Sequence, residues 1–138
     1  MGEKLEITQE QRVVNAPTGQ VILVGSFPAM SFQHIQHLLV SYPATPGKIG
    51  MLIGVLQQTH LLDTQAAVLQ NVTTSSDTTV IRCVTQSMLD IIEGAHGSHY
   101  QPLAGTCKLQ NVTVTGDGFG LLGKGSYMAD AAEHASLA

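Results

Sequence analysis

The pentapeptide Leu69–Thr73 recurs residue for residue as Leu109–Thr113, 40 positions further along the chain. Each copy runs into a short polar turn and then into a second apolar stretch, which is the pattern of a β-hairpin. The repeat therefore predicts two hairpins, over residues 66–84 and 107–128. In the second hairpin, Gly116–Gly118 contains an Asp-Gly pair, a strong hairpin-turn signal.

The remaining turn and helix-capping signals predict a third hairpin and three helices. We expect the hairpin over residues 11–27, and helices beginning at Ser31, at Thr45 and near Gln86. The last of these helices is predicted to end at Glu93, with Gly94 at its C-terminal cap. Residues 1–10 are charged and polar and are predicted to form a flexible N-terminal arm, with residues 11–138 as a single α+β domain. The predicted fold is an antiparallel sheet of about six strands, made of three hairpins, packed on a buried central helix.

The predicted central helix, residues 46–62, is apolar on nearly all sides at its start, and such a helix is usually buried on several sides. Gly50 and Gly54 lie four residues apart, which leaves a flat strip where another backbone can approach closely.

The charged residues are few and unevenly distributed. They make up 12% of the chain, and between Val13 and Leu62 the only formally charged side chain is Lys48. Because a small domain normally covers its surface with charged side chains, this stretch predicts an extensive subunit interface and a homo-oligomer. The alternative is a monomer whose surface there is neutral and is formed by Gln, Ser, Thr and Asn.

Several partners and locations are disfavoured by composition. The net charge is −4, with six Lys and Arg residues that form no basic cluster, which argues against nucleic acid. The most apolar run, residues 49–56, is far short of the about 20 residues that span a membrane. The acidic, polar N-terminus carries no secretion signal, so we expect a soluble protein that is cytoplasmic or virion-associated. In that setting Cys83 and Cys107 are predicted to be reduced, buried thiols.

Histidines are the main candidates for binding a metal ion or a small ligand. His34 and His37 lie three residues apart on a predicted helix and share a face, so both could bind one divalent metal. His96 and His99 occur in a loop rich in Gly and could close on the same ion. Asp90 and Glu93 could complete the site, or could line a ligand pocket with His37, His96 and His99. The alternative is that these histidines only supply surface polarity where charged residues are absent.

The segment Tyr42–Gly47 leads into the predicted central helix, which carries Gln57 and Gln58 towards its end and is followed by predicted antiparallel strands. This arrangement resembles that of hot-dog-fold acyl-thioester enzymes, in which a Pro-Gly segment precedes the central helix. The resemblance implies a ligand pocket between sheet and helix. The acidic and His residues of those enzymes are not matched here, because His37 comes too early and no Asp or Glu occurs between Lys48 and Asp63.

Two functions follow from these observations. The first is a non-enzymatic subunit of a homo-oligomeric or larger assembly, such as a shell, ring or virion component. The second is a small-ligand-binding protein or enzyme, hot-dog-like or dependent on a His-bound divalent metal, with its pocket between sheet and central helix. Whether the chain is an enzyme, and the identity of any substrate, stay open at this level.

Overall fold

The computed structural model describes residues 4–26, 28–73, 77–103 and 105–138, with the side chains of Ala29 and Leu109 excepted. Over these residues the chain forms one two-stranded antiparallel sheet and five α-helices. The elements run in the order β1 (Lys4–Gln9), β2 (Gln20–Ser26), α1 (Ala29–Leu39), a 3₁₀ helix (Pro46–Lys48), α2 (Met51–Thr73), α3 (Thr78–Glu93), α4 (Gly105–Leu109) and α5 (Tyr127–Leu137). Among them, none combines the length and the apolar character that a membrane-crossing helix needs.

The prediction of a six-stranded sheet is wrong, because residues 66–73, 77–84 and 107–128 form helices and irregular loops rather than hairpins; the predicted turn at residues 74–76 lies outside the described residues. α3 shows why. Its buried residues recur at helical spacing and are Cys83, Val84, Ser87, Asp90 and Ile91. Its first turn is rich in β-branched residues, but the Asp77 carboxylate caps it by accepting hydrogen bonds from the backbone N–H groups of Thr79 and Val80. Capping and the buried helical face together outweigh the intrinsic strand preference.

The repeated pentapeptide has a different structure in each copy. Leu69–Thr73 is the last part of α2, whereas Leu109–Thr113 starts at the final residue of α4 and continues into a turn with Asn111 at a positive φ of 59°. Five residues fix no conformation by themselves, so the tertiary surroundings of each copy decide its structure.

The expectation of a buried central helix is also wrong in part. α2 continues for 23 residues, and only Met51, Gly54, Gln58 and Gln65 are buried along it. Leu56 is 71% exposed. The predicted close approach of a backbone is confirmed at Gly50, where an added Cβ would lie 2.6 Å from the backbone carbon of Leu39. At Gly54 the neighbour is a side chain instead, because an added Cβ would lie 1.9 Å from a ring carbon of Tyr127.

Two small apolar clusters hold the helices together. One contains Met51, Tyr127 and Ala131 and joins α2 to α5. Its centre is fixed by a hydrogen bond of 2.6 Å from the Tyr127 hydroxyl to Asp117. Desolvation, followed by the hydrogen bond to the Asp117 carboxylate and its charge, raises the pKa of Tyr127, so the phenol stays a donor.

The second cluster contains a disulfide between Cys83 of α3 and Cys107 of α4, together with Val84 and Val112. The prediction of two reduced thiols is therefore wrong. A sequence separation of 24 residues gives no pairing signal by itself, since it is the return of the chain after α3 that brings the two Cα atoms to 5.4 Å.

The N-terminal hairpin differs from its prediction in one arm. β2 falls within the predicted return arm, but it pairs with β1 at residues 4–9, inside the predicted flexible arm. Residues between the strands form a long turn in which the Glu10 carboxylate accepts hydrogen bonds from the backbone N–H groups of Thr18 and Gly19, at 2.9 and 2.7 Å. These bonds, chiefly the one from Gly19, lower the pKa of Glu10.

Candidate functional site

The hairpin carries an apolar surface that no other described part of the chain covers. β1 and β2 contact each other but none of the helices. Their large apolar side chains are between 41% and 63% exposed, and we call this set the hairpin surface: Leu5, Ile7, Val21, Ile22, Leu23 and Val24. In the observed register Leu5 pairs with Gly25 and Ile7 with Leu23, so Leu5, Ile7 and Leu23 share one face of the sheet, while Ile22 and Val24 lie on the opposite face.

A second uncovered apolar surface lies where α1 ends and α2 begins. The backbone of Leu39 and Val40 packs against Gly50, while their side chains point into solvent. Leu52, Ile53 and Leu56 of α2 are exposed as well. We call Leu39, Val40, Leu52, Ile53 and Leu56 the helical surface. It lies within the neutral stretch of the sequence, where Lys48 is the only formal charge.

Three histidines meet where α1 packs against α5. His34 and His37 lie on α1, as their spacing predicts, and His134 comes from α5. We call these three residues the histidine cluster. One ligand atom from each lies within 4.8 Å of the other two, and the Nδ1 atoms of His34 and His134 are 2.8 Å apart. The Tyr42 ring packs against His37 and His134 at centroid distances of 5.0 Å.

The electrostatics of the histidine cluster favour a neutral imidazole at His37. Desolvation, followed by repulsion from His134 and His34, lowers the pKa of His37. Its Nδ1 atom is buried and has no hydrogen-bond partner within the described structure. The charged residues on the two helices are both acidic, Asp130 and Glu133 of α5. Desolvation and the Glu133 charge raise the pKa of Asp130, while His134 acts in the opposite direction.

The other predicted site residues lie around the end of α3. The Glu93 carboxylate accepts hydrogen bonds from the His99 ring Nδ1 at 2.6 Å and from its backbone N–H at 2.8 Å. These bonds lower the pKa of Glu93. Glu93 and His96 line an open cavity of about 410 Å³ together with Ser98 and Lys124. Among the described residues, no group of three potential metal ligands includes His96 or His99.

Asp90 lies apart from that cavity and is fully buried. One carboxylate oxygen accepts hydrogen bonds from the Gln86 side chain at 2.8 Å and from the backbone N–H of Gln101 at 3.0 Å. The Gln86 amide also donates to the His99 carbonyl. These contacts fasten the loop after Gly94 onto α3, which is a structural role for a residue that the sequence offered as a ligand.

His134 is the site residue that the sequence analysis missed. The C-terminal segment carries a helix-start signal, since the Ser126 hydroxyl accepts a hydrogen bond from the Ala129 N–H. That signal could have predicted α5. No local pattern, however, relates His134 to His34, which lies 100 residues earlier.

Comparison of the chain with protein-family models, with curated proteins and with solved structures gives no significant match. The resemblance to hot-dog-fold enzymes is not supported by the fold, because those enzymes need an extended antiparallel sheet and the described residues form only two strands.

Proposed function

We propose that the chain is a non-enzymatic subunit of a homo-oligomeric assembly, and that the hairpin surface of one copy packs on the helical surface of another copy. The observation that carries this proposal is the uncovered hairpin. A two-stranded hairpin alone is marginally stable in water, and a third strand or a packed face is needed for independent stability. Since no described helix of the same chain covers the hairpin, we infer that another chain does so.

A second copy is the favoured partner because the chain offers complementary surfaces to itself. The hairpin surface and the helical surface are both apolar, and the helical surface lies entirely within the neutral stretch. Charged residues are typically depleted at the centre of an interface, and obligate interfaces are apolar like the core of a domain. Closed symmetry then gives each copy one hairpin to donate and one surface to receive it.

The alternative to assembly is a monomer with a neutral surface over residues 13–62. The side chains exposed in that stretch test this alternative. A monomer would present Gln, Ser, Thr and Asn there, and several such side chains are exposed. Residues 13–62 also hold 12 of the 18 large apolar side chains that are exposed in the described structure, however. Monomeric proteins rarely expose apolar patches of more than a few hundred Å², so this distribution supports self-association.

The disulfide changes the expected location. Disulfides persist in oxidising compartments and on virion surfaces, and they are rare in the cytosol. The Cys83–Cys107 bond therefore supports a virion-associated or other oxidising location over the cytoplasm. The prediction that nucleic acid is not a partner is kept, because it rests on the charge of the whole chain.

Native mass spectrometry and sedimentation of the full chain, with its disulfide intact, test the proposal. We expect a discrete oligomer for the wild type and a folded monomer for Leu23→Glu, because a charge placed on the hairpin surface would be desolvated in the interface. Val13→Glu is the matched control: Val13 lies in the turn of the same hairpin and is fully exposed, so this variant should assemble normally.

Two results would refute the proposal. The first is a wild type that stays monomeric at concentrations of about 100 μM, well above the Kd of a typical specific interface. The second is a Leu23→Glu variant that forms the same oligomer as the wild type. Circular dichroism of each variant establishes that the helices are retained, so that loss of assembly is not confused with loss of folding.

A further inference from the structure

We infer that the histidine cluster is a binding site for a divalent transition-metal ion, Zn²⁺ or a similar borderline ion, which ties α5 to α1. This inference is independent of the assembly, because neither the hairpin surface nor the helical surface supplies a ligand. Three imidazoles are the protein ligand set of several zinc sites, in which the fourth position stays open to water.

The distances are compatible with coordination after small side-chain rotations. Zn–N bonds of about 2.0–2.1 Å at a tetrahedral centre place the ligand nitrogens about 3.3–3.4 Å apart. In the cluster, the His34 and His134 nitrogens are 2.8 Å apart and no pair of ligand atoms exceeds 4.8 Å. Each separation therefore has to change by about 1.5 Å at most, which rotation of the imidazole rings can supply.

The unpartnered nitrogen of His37 is the second argument for an ion. A buried polar atom without a partner costs free energy, and such atoms are rare in native proteins. The Nδ1 atom of His37 is of this kind, and it lies in the cluster whose other two members are already paired. A bound cation would satisfy it without any change in the helices.

The charges on the two helices favour a cation. α1 carries no charged residue, and the charged residues of α5 are the acidic Asp130 and Glu133. Imidazole nitrogens suit Zn²⁺, Cu²⁺ and Ni²⁺, whereas Mg²⁺ and Ca²⁺ prefer oxygen ligands.

Titration of the tag-free full chain with Co²⁺ and Zn²⁺, after treatment with a chelator, tests the inference. We expect one Co²⁺ per chain, visible absorption bands typical of nitrogen coordination, and displacement by one equivalent of Zn²⁺. Loss of an outer-shell partner already weakens metal sites by about 10- to 100-fold. Loss of a ligand in His134→Gln should therefore weaken binding by about 100-fold or more.

Two control variants separate this site from other histidines. His60→Gln removes an exposed imidazole from the middle of α2, and the double variant His96→Gln/His99→Gln removes the loop pair. Both should bind Co²⁺ as the wild type does. Wild-type protein that binds no Co²⁺ at micromolar concentration would overturn the inference. Wild-type affinity in His134→Gln, or loss of binding only in the loop variant, would overturn it as well.

Thermal unfolding gives a second readout that does not depend on variants. If the ion joins α1 to α5, Zn²⁺ should raise the Tm of the wild type and should leave that of His134→Gln unchanged, because a ligand that binds only the folded state stabilises it by mass action. A Tm that Zn²⁺ fails to raise in the wild type would contradict the proposed link between the two helices.

Discussion

Breaking the disulfide should remove a large part of the stability of the α3–α4 unit. The bond closes a loop with a sequence separation of 24 residues. In the chain-entropy model, a cross-link of this length reduces the entropy of the unfolded chain by about 11.6 cal/mol/K, which corresponds to about 3.5 kcal/mol at 25 °C. Small domains unfold with about 5–15 kcal/mol in total, so the loss should be obvious.

Reduction and substitution report on different parts of this effect. Reduction of the wild type keeps both sulfur atoms and removes only the cross-link. The double variant Cys83→Ala/Cys107→Ala also removes two buried side chains from their cluster with Val84 and Val112. Each lost sulfur should add about 1 kcal/mol, since cavities in a packed core carry their own cost. The variant is therefore expected to be less stable than the reduced wild type.

The assay is urea unfolding followed by circular dichroism, with and without a reducing agent that is not a thiol. The oxidised wild type should lose about 3.5 kcal/mol on reduction, and the double variant should not respond to the reductant at all. A change of less than about 1 kcal/mol in the wild type would refute the reasoning, because it would mean that the unfolded chain is already held compact by other contacts.

Three further predictions concern single residues. Gly54→Ala gains about 1 kcal/mol of helix propensity, but its Cβ would lie 1.9 Å from the buried ring of Tyr127. Overpacking of about 1–3 kcal/mol or more should dominate, so urea unfolding should show a net loss that Gly105→Ala, with open space around its Cβ, does not share. Asp77→Ala removes two hydrogen bonds at the start of α3 and should cost about 1 kcal/mol in the same assay, whereas Asp77→Asn should cost little; equal losses would contradict the cap. His37 has a folded-state pKa below its ordinary value of 6.5, so the unfolded chain binds its proton first and stability should fall as the pH is lowered from about 7 to 5; His37→Asn should flatten that dependence, and an unchanged slope in this variant would refute it.

The parts of the fold that the sequence predicted are those set by short-range chemistry. β2 falls within its predicted arm, and Gly94 ends α3 with a positive φ of 68° where a helix-terminating glycine was expected. Gly50 and Gly54 mark the close approach on α2 because the absence of a side chain has a direct steric consequence. The sequence signal for each of these features lies in one or a few neighbouring residues, although the groups that approach Gly50 and Gly54 are distant in the sequence.

The parts that the sequence did not predict depend on contacts between distant residues. Thr78–Ile81 is a β-branched run whose intrinsic preference is for a strand, yet it opens α3 because the helix buries a face against the rest of the chain. β1 alternates apolar Leu5 and Ile7 with polar residues, but its charges suggested an arm, and only pairing with β2 shows the strand. Cys83–Cys107 is decided in the same way by tertiary structure.

The two proposals differ in whether they depend on contacts within one chain or on contacts between chains. The histidine cluster is completed within one chain, since α5 brings His134 to the pair on α1, so metal binding should survive dissociation of the oligomer. The hairpin surface, by contrast, has no partner among the described helices, and its apolar face gains stability only when a second copy covers it. A monomeric Leu23→Glu variant should therefore still bind one Co²⁺ per chain. If dissociation abolished metal binding as well, the α1–α5 contact would itself depend on assembly, and the histidines would have to be regarded as part of the interface.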